Sequence, residues 1–304
     1  MTLYEFRRVY PARTMTLRSG KPFTYRYYKH PGAKAALVLL TGGIGLSDLF
    51  YLHFQRFAAD FSVPTFDYQL PFADNGELAD AVAELLDCLG ERAWLMGQSL
   101  GGVIAQIIAV RHPEAVEGLV LSNTCSLSRD MDREAYRHLQ AMLESRRKSK
   151  RLLSVLPFPL FKRLLVWAVR KKTGGFTWQE TDRMEKLCEA MLELLTKEYE
   201  LHMMNLLLDT EHFLGMTRED FARWEDRVLL LLSQDDDTFN QACKDDLVSL
   251  MSRPTVVTDL TGGHLALLVR PERYAQIVTA YIGGRVSGGT SWWTLASTSR
   301  RSTC

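Results

Sequence analysis

Short apolar segments recur along the chain, and stretches with the spacing of amphipathic helices separate them. Six segments of four to seven mostly apolar residues predict strands. They span residues 35–40, 63–68, 93–96, 118–122, 228–232 and 254–260. Strands of this length without regular polar alternation are typical of a parallel sheet that helices cover on both faces. The pattern therefore predicts an α/β protein.

The beginning of the chain has a different pattern. Residues 3–28 alternate aromatic and charged side chains, and a Ser-Gly-Lys-Pro sequence at 19–22 favours a turn between them. This alternation predicts two or three further strands. Added to the six apolar segments, they predict a doubly wound, mostly parallel sheet of eight strands with helices on both faces.

Two predicted helices have end signals that can be identified in the sequence. Residues 78–89 carry apolar side chains at helical spacing and are followed by Gly90, a residue that commonly ends helices. Pro271 opens a last helix that runs to residue 281, and we expect it to end at Gly283-Gly284. Both helices would flank the sheet.

One long interval interrupts the alternation of strands and helices. Between Asn123 and Asp226 the chain has helical periodicity and almost no strand signal. An insertion at this point would lie over the carboxyl edge of the sheet, where α/β proteins bind their ligands. The sequence thus predicts an α/β core interrupted by a helical cap, and a Gly/Ser/Thr-rich disordered tail. Their predicted ranges are 1–124 and 224–283 for the core, 125–223 for the cap, and 284–304 for the tail.

The middle of the predicted cap is strongly basic. Residues 146–172 contain ten Lys and Arg and no Asp or Glu, interleaved with apolar residues and two prolines. One interpretation is a helical cap with a solvated basic face. The other is a surface that docks anionic lipid or an acidic ligand, which would give the protein a peripheral membrane contact.

Composition excludes several classes of protein. The formal net charge is +1, so no overall field favours nucleic acid. Neither a signal peptide nor an apolar run long enough to span a membrane is present, and we expect a cytoplasmic protein. No ligand spacing suggests a metal, and we expect no cofactor. The five cysteines are far apart and are interpreted as reduced thiols, namely Cys88, Cys125, Cys188, Cys243 and Cys304.

The chemistry is indicated by Gly97-Gln98-Ser99-Leu100-Gly101-Gly102. It follows the predicted strand 93–96 directly and opens an apolar helix. A G-x-S-x-G sequence between a strand and a helix predicts a nucleophile elbow, in which small residues permit a very tight turn. The turn would present the Ser99 hydroxyl at a helix N-terminus, where the helix dipole favours developing negative charge.

A serine nucleophile needs a base, and the base needs a carboxylate that orients it. His264 follows the last predicted strand in Thr-Gly-Gly-His, before the final helix, and is the predicted base. The carboxylate should follow strand 228–232, where three aspartates are adjacent. Asp236, three residues past Ser233, is the predicted acid, with Asp237 and Asp235 as the alternatives.

Two backbone N–H groups are needed to stabilise an oxyanion. The elbow supplies the N–H of Leu100. The loop after the first parallel strand, Thr41-Gly42-Gly43-Ile44-Gly45, is predicted to supply the second from Gly43. A phosphate-binding loop is the alternative interpretation of these glycines, but no Lys-Ser/Thr pair follows them.

Taken together, the elbow, the oxyanion loop, the aspartate loop and the histidine loop resemble the α/β-hydrolase fold superfamily over 1–124 and 224–283. Within it the chain resembles maspardin-like proteins. That narrower resemblance rests on four segments. They are Ser47-Asp48-Leu49-Phe50, Tyr68-Gln69-Leu70-Pro71, Leu121-Ser122-Asn123-Thr124 and Thr261-Gly262-Gly263.

The resemblance implies one of two functions. The first is a serine hydrolase that cleaves a carboxylic ester or thioester of a small molecule or lipid through an acyl-enzyme, acyl transfer to another acceptor included. The second is a non-catalytic binding or adaptor protein, because maspardin-like proteins are associated with binding as much as with catalysis. The intact Ser99, Asp236 and His264 favour the enzyme.

Overall fold

The computed structural model describes residues 2–172 and 176–286. Its centre is an eight-stranded sheet in the order β1-β2-β4-β3-β5-β6-β7-β8. β2 pairs antiparallel with β1 and β4, and the remaining strands pair in parallel. This confirms the predicted fold class. The strands are β1 Arg13–Thr16, β2 Pro22–Tyr28, β3 Ala36–Leu40, β4 Val63–Phe66, β5 Ala93–Gln98, β6 Val116–Ser122, β7 Val228–Leu231 and β8 Thr255–Val257.

Helices cover both faces of this sheet. Successive side chains of a strand point to opposite faces, so each central strand contributes to two cores. In β3, Val38 and Leu40 pack in one apolar cluster, and Leu37 and Leu39 pack in the other. The α-helices are α1 Leu3–Val9, α2 Tyr51–Phe57, α3 Asn75–Leu89, α4 Leu100–Arg111, α5 Arg133–Val155, α6 Phe158–Lys172, α7 Trp178–Leu194, α8 Lys197–Asp209, α9 Gln241–Leu250, α10 Ala266–Val269 and α11 Pro271–Val286.

Two predictions about the ends of the chain were wrong. Residues 3–9, expected to be strand, form α1, because Thr2 and Glu5 cap its first turn reciprocally. The last helix does not end at Gly283-Gly284 but continues to Val286, anchored by the buried side chains of Tyr281 and Ile282. The predicted disordered tail therefore begins inside a helix, and its residues 287–304 lie outside the described residues.

The interval predicted to be a cap contains helices α5 to α8. Helix α8 attaches them to the core through polar contacts to loops at the carboxyl edge of the sheet. The Tyr199 hydroxyl donates to the carbonyl of Gly45 at 2.8 Å, and His202 Nε2 lies 3.2 Å from the carbonyl of Tyr68. These contacts place α8 directly over the loop that follows β3.

A buried histidine connects α2 to the end of the histidine loop. His53 Nε2 lies 3.0 Å from the carbonyl of Leu267, three residues beyond His264. Burial lowers the pKa of His53 to about 3 from its ordinary value of 6.5, although the Leu267 carbonyl acts in the opposite direction. The imidazole is therefore neutral in the native protein and donates its Nε2 proton to Leu267.

This burial predicts a loss of stability in mild acid. Below pH 6.5 the unfolded chain takes up a proton at His53 that the native state does not bind. The free energy of unfolding should therefore fall by up to about 1.4 kcal/mol per pH unit from this group. Urea unfolding of wild type and His53→Gln between roughly pH 7 and pH 5 measures it, above the range where most carboxylates titrate. Equal pH slopes for the two proteins would contradict the prediction.

Candidate active site

Ser99 lies in a sharp turn between β5 and α4. Its φ of 54° and ψ of −120° are unusual for a residue with a side chain. The flanking glycines make the turn possible: a Cβ on Gly97 would overlap the backbone carbonyl of Gly101, and a Cβ on Gly101 would overlap that of Leu40. The predicted elbow is thus a strained strand-to-helix turn, and its glycines are sterically required.

Hydrogen bonds from the next strand hold the elbow. The N–H of Ser99 donates to the carbonyl of Ser122 at 3.0 Å. The hydroxyl of Thr124 donates to the carbonyl of Ser99 at 2.7 Å. Gly102 passes so close to Thr124 that a Cβ there would lie 2.6 Å from the threonine side chain. The strain at Ser99 is therefore maintained by the packing of α4 on β6.

The structure brings His264 and Asp236 together. His264 Nδ1 lies 3.1 Å from Asp236 Oδ2, and the Asp236 side chain is fully buried. A carboxylate accepts hydrogen bonds, so Nδ1 carries the proton and Nε2 of the neutral ring is the basic nitrogen. Gly262 and Gly263, with φ of 123° and 58°, form the turn that delivers the histidine.

The three adjacent aspartates have different surroundings. Asp236 accepts the N–H of Thr238 at 2.8 Å in addition to its contact with His264. Asp235 points to the histidine loop, where it accepts the N–H of Gly262 at 2.9 Å. Asp237 is exposed to solvent. Of the three, Asp236 is therefore the carboxylate that contacts the imidazole.

The electrostatics of Asp236 keep it ionised. Burial by itself raises the pKa of this carboxyl, but the hydrogen bond and electrostatic interaction with His264, together with the N–H groups of Thr238 and Phe239, outweigh burial. The net effect is a pKa below the usual range. At neutral pH the group is a carboxylate that can hold the imidazole and stabilise an imidazolium.

Asn123 connects the loops that carry these two residues. It follows β6 with a φ of 39° and is almost fully buried. Its side chain accepts the N–H of Ser233 at 2.8 Å and donates to the carbonyl of Gly263 at 3.1 Å. Asn123 is thus a positioning residue between the aspartate loop and the histidine loop. The sequence motif at residues 121–124 includes Asn123, but it did not indicate that Asn123 joins these two loops.

Gln98 contacts the other side of the histidine and was not among the predicted site residues. Its Nε2 lies 3.3 Å from His264 Nε2 and 3.1 Å from the His264 carbonyl. Among the described residues, no hydrogen bond joins Ser99 to His264. Gln98 therefore holds the imidazole in the resting site. Its position next to Ser99 in the G-x-S-x-G motif was the one feature of the sequence that could have indicated a place in the site.

The glycine loop after β3 lies against the elbow. A Cβ on Gly42 would lie 3.4 Å from Ser99 Cβ, and Leu207 of α8 packs over Gly43. Within residues 2–172 and 176–286, the backbone N–H groups of Gly43 and Leu100 have no hydrogen-bond acceptor. Leu100 is the first residue of α4, where helical N–H groups have no partner within the helix. Neither N–H group is thus committed to another acceptor among the described residues.

A small cavity of about 130 Å³ lies beside Ser99 and His264. One wall is a face of α5 that presents residues at helical spacing, Leu139, Met142, Leu143 and Arg146. The remainder of the lining is mostly apolar, from residues of α4, α8 and the aspartate loop. The described residues contain no group of three or more side chains arranged to hold a metal ion.

A strained serine, a histidine paired with a buried carboxylate, and a glycine loop at one edge of a mostly parallel sheet define a hydrolase type of site. The family model for the alpha/beta hydrolase fold matches residues 35–271. The chain therefore belongs to the alpha/beta hydrolase fold family, as predicted. The narrower resemblance to maspardin-like proteins stays a prediction.

Curated relatives and solved structures agree with this family. A putative carbamate hydrolase RutD of Agrobacterium fabrum is 32% identical over 105 residues, which are 31% of this chain and 40% of that protein. Its counterpart in Rhizobium rhizogenes is 30% identical over 148 residues, 45% and 55% of the two chains. The chain thus spans about half the length of these relatives. A hydrolase from Pseudomonas aeruginosa matches 90% of this chain and 98% of its own, with a TM-score of 0.67 at 20% identity.

Proposed function

We propose that the protein is a serine hydrolase that cleaves a carboxylic ester or thioester of a small molecule or lipid. The observation that carries the proposal is the contact between His264 Nδ1 and the buried Asp236 carboxylate, beside the strained Ser99. A structural histidine does not need this combination. An acyl-transfer site needs each part of it.

In the proposed reaction the Ser99 hydroxyl attacks the carbonyl carbon while His264 Nε2 takes its proton. Asp236 stabilises the imidazolium that forms. The N–H groups of Gly43 and Leu100 bind the oxyanion. His264 then protonates the leaving alcohol or thiol, and an acyl-Ser99 ester remains. Water, activated by the same histidine, cleaves this ester and restores the serine; another acceptor in place of water would give acyl transfer.

The cavity supports a short apolar acyl group. Its volume of about 130 Å³ is below the ~300–1,000 Å³ of pockets that take drug-sized ligands. Leu139, Met142 and Leu143 would contact the acyl chain, and Arg146 provides a cation on the same helix face.

A carbamate is the second candidate substrate, because the curated relatives are named as putative carbamate hydrolases. Its carbonyl would be attacked by Ser99 in the same way. The apolar lining of the cavity favours the ester or thioester. A panel of p-nitrophenyl esters of rising chain length, run beside a p-nitrophenyl carbamate, compares the two classes directly.

A fluorophosphonate probe tests the proposed function. The probe forms a covalent bond with a serine whose hydroxyl is activated by a base. We expect rapid labelling of the wild-type protein at Ser99, identified by peptide mass spectrometry, and none in Ser99→Ala. A folded wild-type protein that stays unlabelled would favour the adaptor function over catalysis.

A further inference from the structure

The outer face of α5 and α6 combines exposed apolar side chains with cations. Between residues 152 and 167 of these two helices, five apolar side chains are between 44% and 79% exposed. They are Leu152, Val155, Leu160, Leu164 and Trp167. The outward stripe of a helix on a globular protein is normally polar, because its apolar stripe faces the core. Here both helices present apolar groups to solvent.

The inward faces of the same helices are already packed. Leu153 of α5 and Phe161 of α6 are buried together with Met204 of α8. These contacts attach the helix pair to the rest of the protein. The outward apolar residues are thus a second stripe, beside the one that packs on the rest of the protein.

The exposed residues follow one repeated pattern. Lys148, Arg151, Leu152 and Val155 are spaced at i, i+3, i+4 and i+7 on α5, so they share one face of the helix. Leu160, Arg163, Leu164 and Trp167 have the same spacing on α6. Each stripe therefore contains exposed apolar groups and at least one exposed cation.

Charge along the chain identifies the partner that such a surface fits. Between Glu144 and Glu180 there are ten Lys and Arg and no Asp or Glu, although the whole chain has a net charge of only +1. The rest of the chain is therefore net negative, and positive charge is concentrated on this segment. One of its cations, Arg147, pairs with Glu211 of the neighbouring helical turn, whereas Lys148, Arg151 and Arg163 are exposed.

We propose that the outer face of α5 and α6 docks on the surface of an anionic lipid bilayer. The apolar side chains would enter the boundary between headgroups and acyl chains, and the cations would contact the headgroups. No described helix has the length and hydrophobicity needed to cross a bilayer, so the contact is peripheral. Residues 139–146 of α5 line the cavity beside Ser99, so one helix carries both a wall of that cavity and part of the docking face. The docking does not depend on the proposed hydrolysis.

Sedimentation with lipid vesicles tests the proposal. We expect the wild-type protein to pellet with vesicles of equal parts phosphatidylcholine and phosphatidylglycerol at low salt, and less at roughly 0.5 M salt. Each surface cation contributes about a factor of five to binding, so Lys148, Arg151 and Arg163 changed together to Gln should weaken it roughly 100-fold. Val155→Ser with Leu164→Ser should weaken it about tenfold or more, at both salt concentrations.

A matched control carries the same loss of charge elsewhere. Arg13, Lys29 and Lys34 are exposed and lie outside α5 and α6. Changing all three to Gln should leave vesicle binding nearly unchanged. Thermal unfolding checks that every variant is folded. Wild-type protein that does not pellet would overturn the proposal. So would a control that weakens binding as much as the change of Lys148, Arg151 and Arg163 to Gln. So would a dimer in solution that Val155→Ser with Leu164→Ser converts to a monomer, because a second copy would then cover this face.

Discussion

Replacing Ser99 with alanine is expected to lower kcat for a p-nitrophenyl ester by about 10⁴–10⁶-fold. The substitution removes the one oxygen that the proposed reaction makes into an ester with the acyl group. The N–H groups of Gly43 and Leu100 would remain, and with them a small residual rate from binding and oxyanion stabilisation. Steady-state hydrolysis of a short-chain ester measures the loss.

The same variant should keep its fold. In the described residues the Ser99 hydroxyl makes no hydrogen bond, and alanine occupies the same turn with a similar backbone strain. The thermal midpoint should therefore move by no more than a few degrees, the effect of about 1 kcal/mol in a protein of this size. An ester hydrolysis rate within tenfold of wild type would show that the nucleophile is another residue.

The fold was predictable because its signals are local. Six short apolar strands between helical segments are sufficient to indicate a covered parallel sheet, and the elbow leaves a signal in its glycines because the turn at Ser99 excludes a Cβ on Gly97 and Gly101. At the start of the chain the alternation of aromatic and charged residues predicted β1 and β2 correctly, but it also predicted a strand at residues 3–9, where a helix forms. The Thr2-x-x-Glu5 capping box was the better indicator there.

The finer geometry of the site could not be predicted, because it depends on contacts between distant parts of the chain. Gln98 reaches a histidine 166 positions away. Asn123 joins loops that lie 110 and 140 positions further along. The G-x-S-x-G motif places Gln98 next to the nucleophile, but the local sequence around Gln98 or Asn123 does not specify these distant partners. The continuation of α11 through Gly283-Gly284 likewise follows from the burial of its neighbours, which overrides a weak intrinsic preference.

The acid of the site is expected to be identified by three single substitutions. Asp236→Asn should lower kcat by about 10⁴-fold. An asparagine amide that donates to His264 Nδ1 would leave the ring proton on Nε2, so the ring could no longer accept the proton of Ser99. The Asn carbonyl could still accept the N–H of Thr238, so the loop should keep its conformation.

Asp235→Asn and Asp237→Asn are the matched controls, because each removes the same charge from the same loop. Asparagine at 235 can still accept the N–H of Gly262 through its carbonyl oxygen, and the side chain at 237 is exposed. Each variant should therefore retain kcat within about tenfold of wild type, since surface substitutions have small effects. If Asp237→Asn caused the large loss and Asp236→Asn did not, the contact between His264 and Asp236 would not be the one used in catalysis.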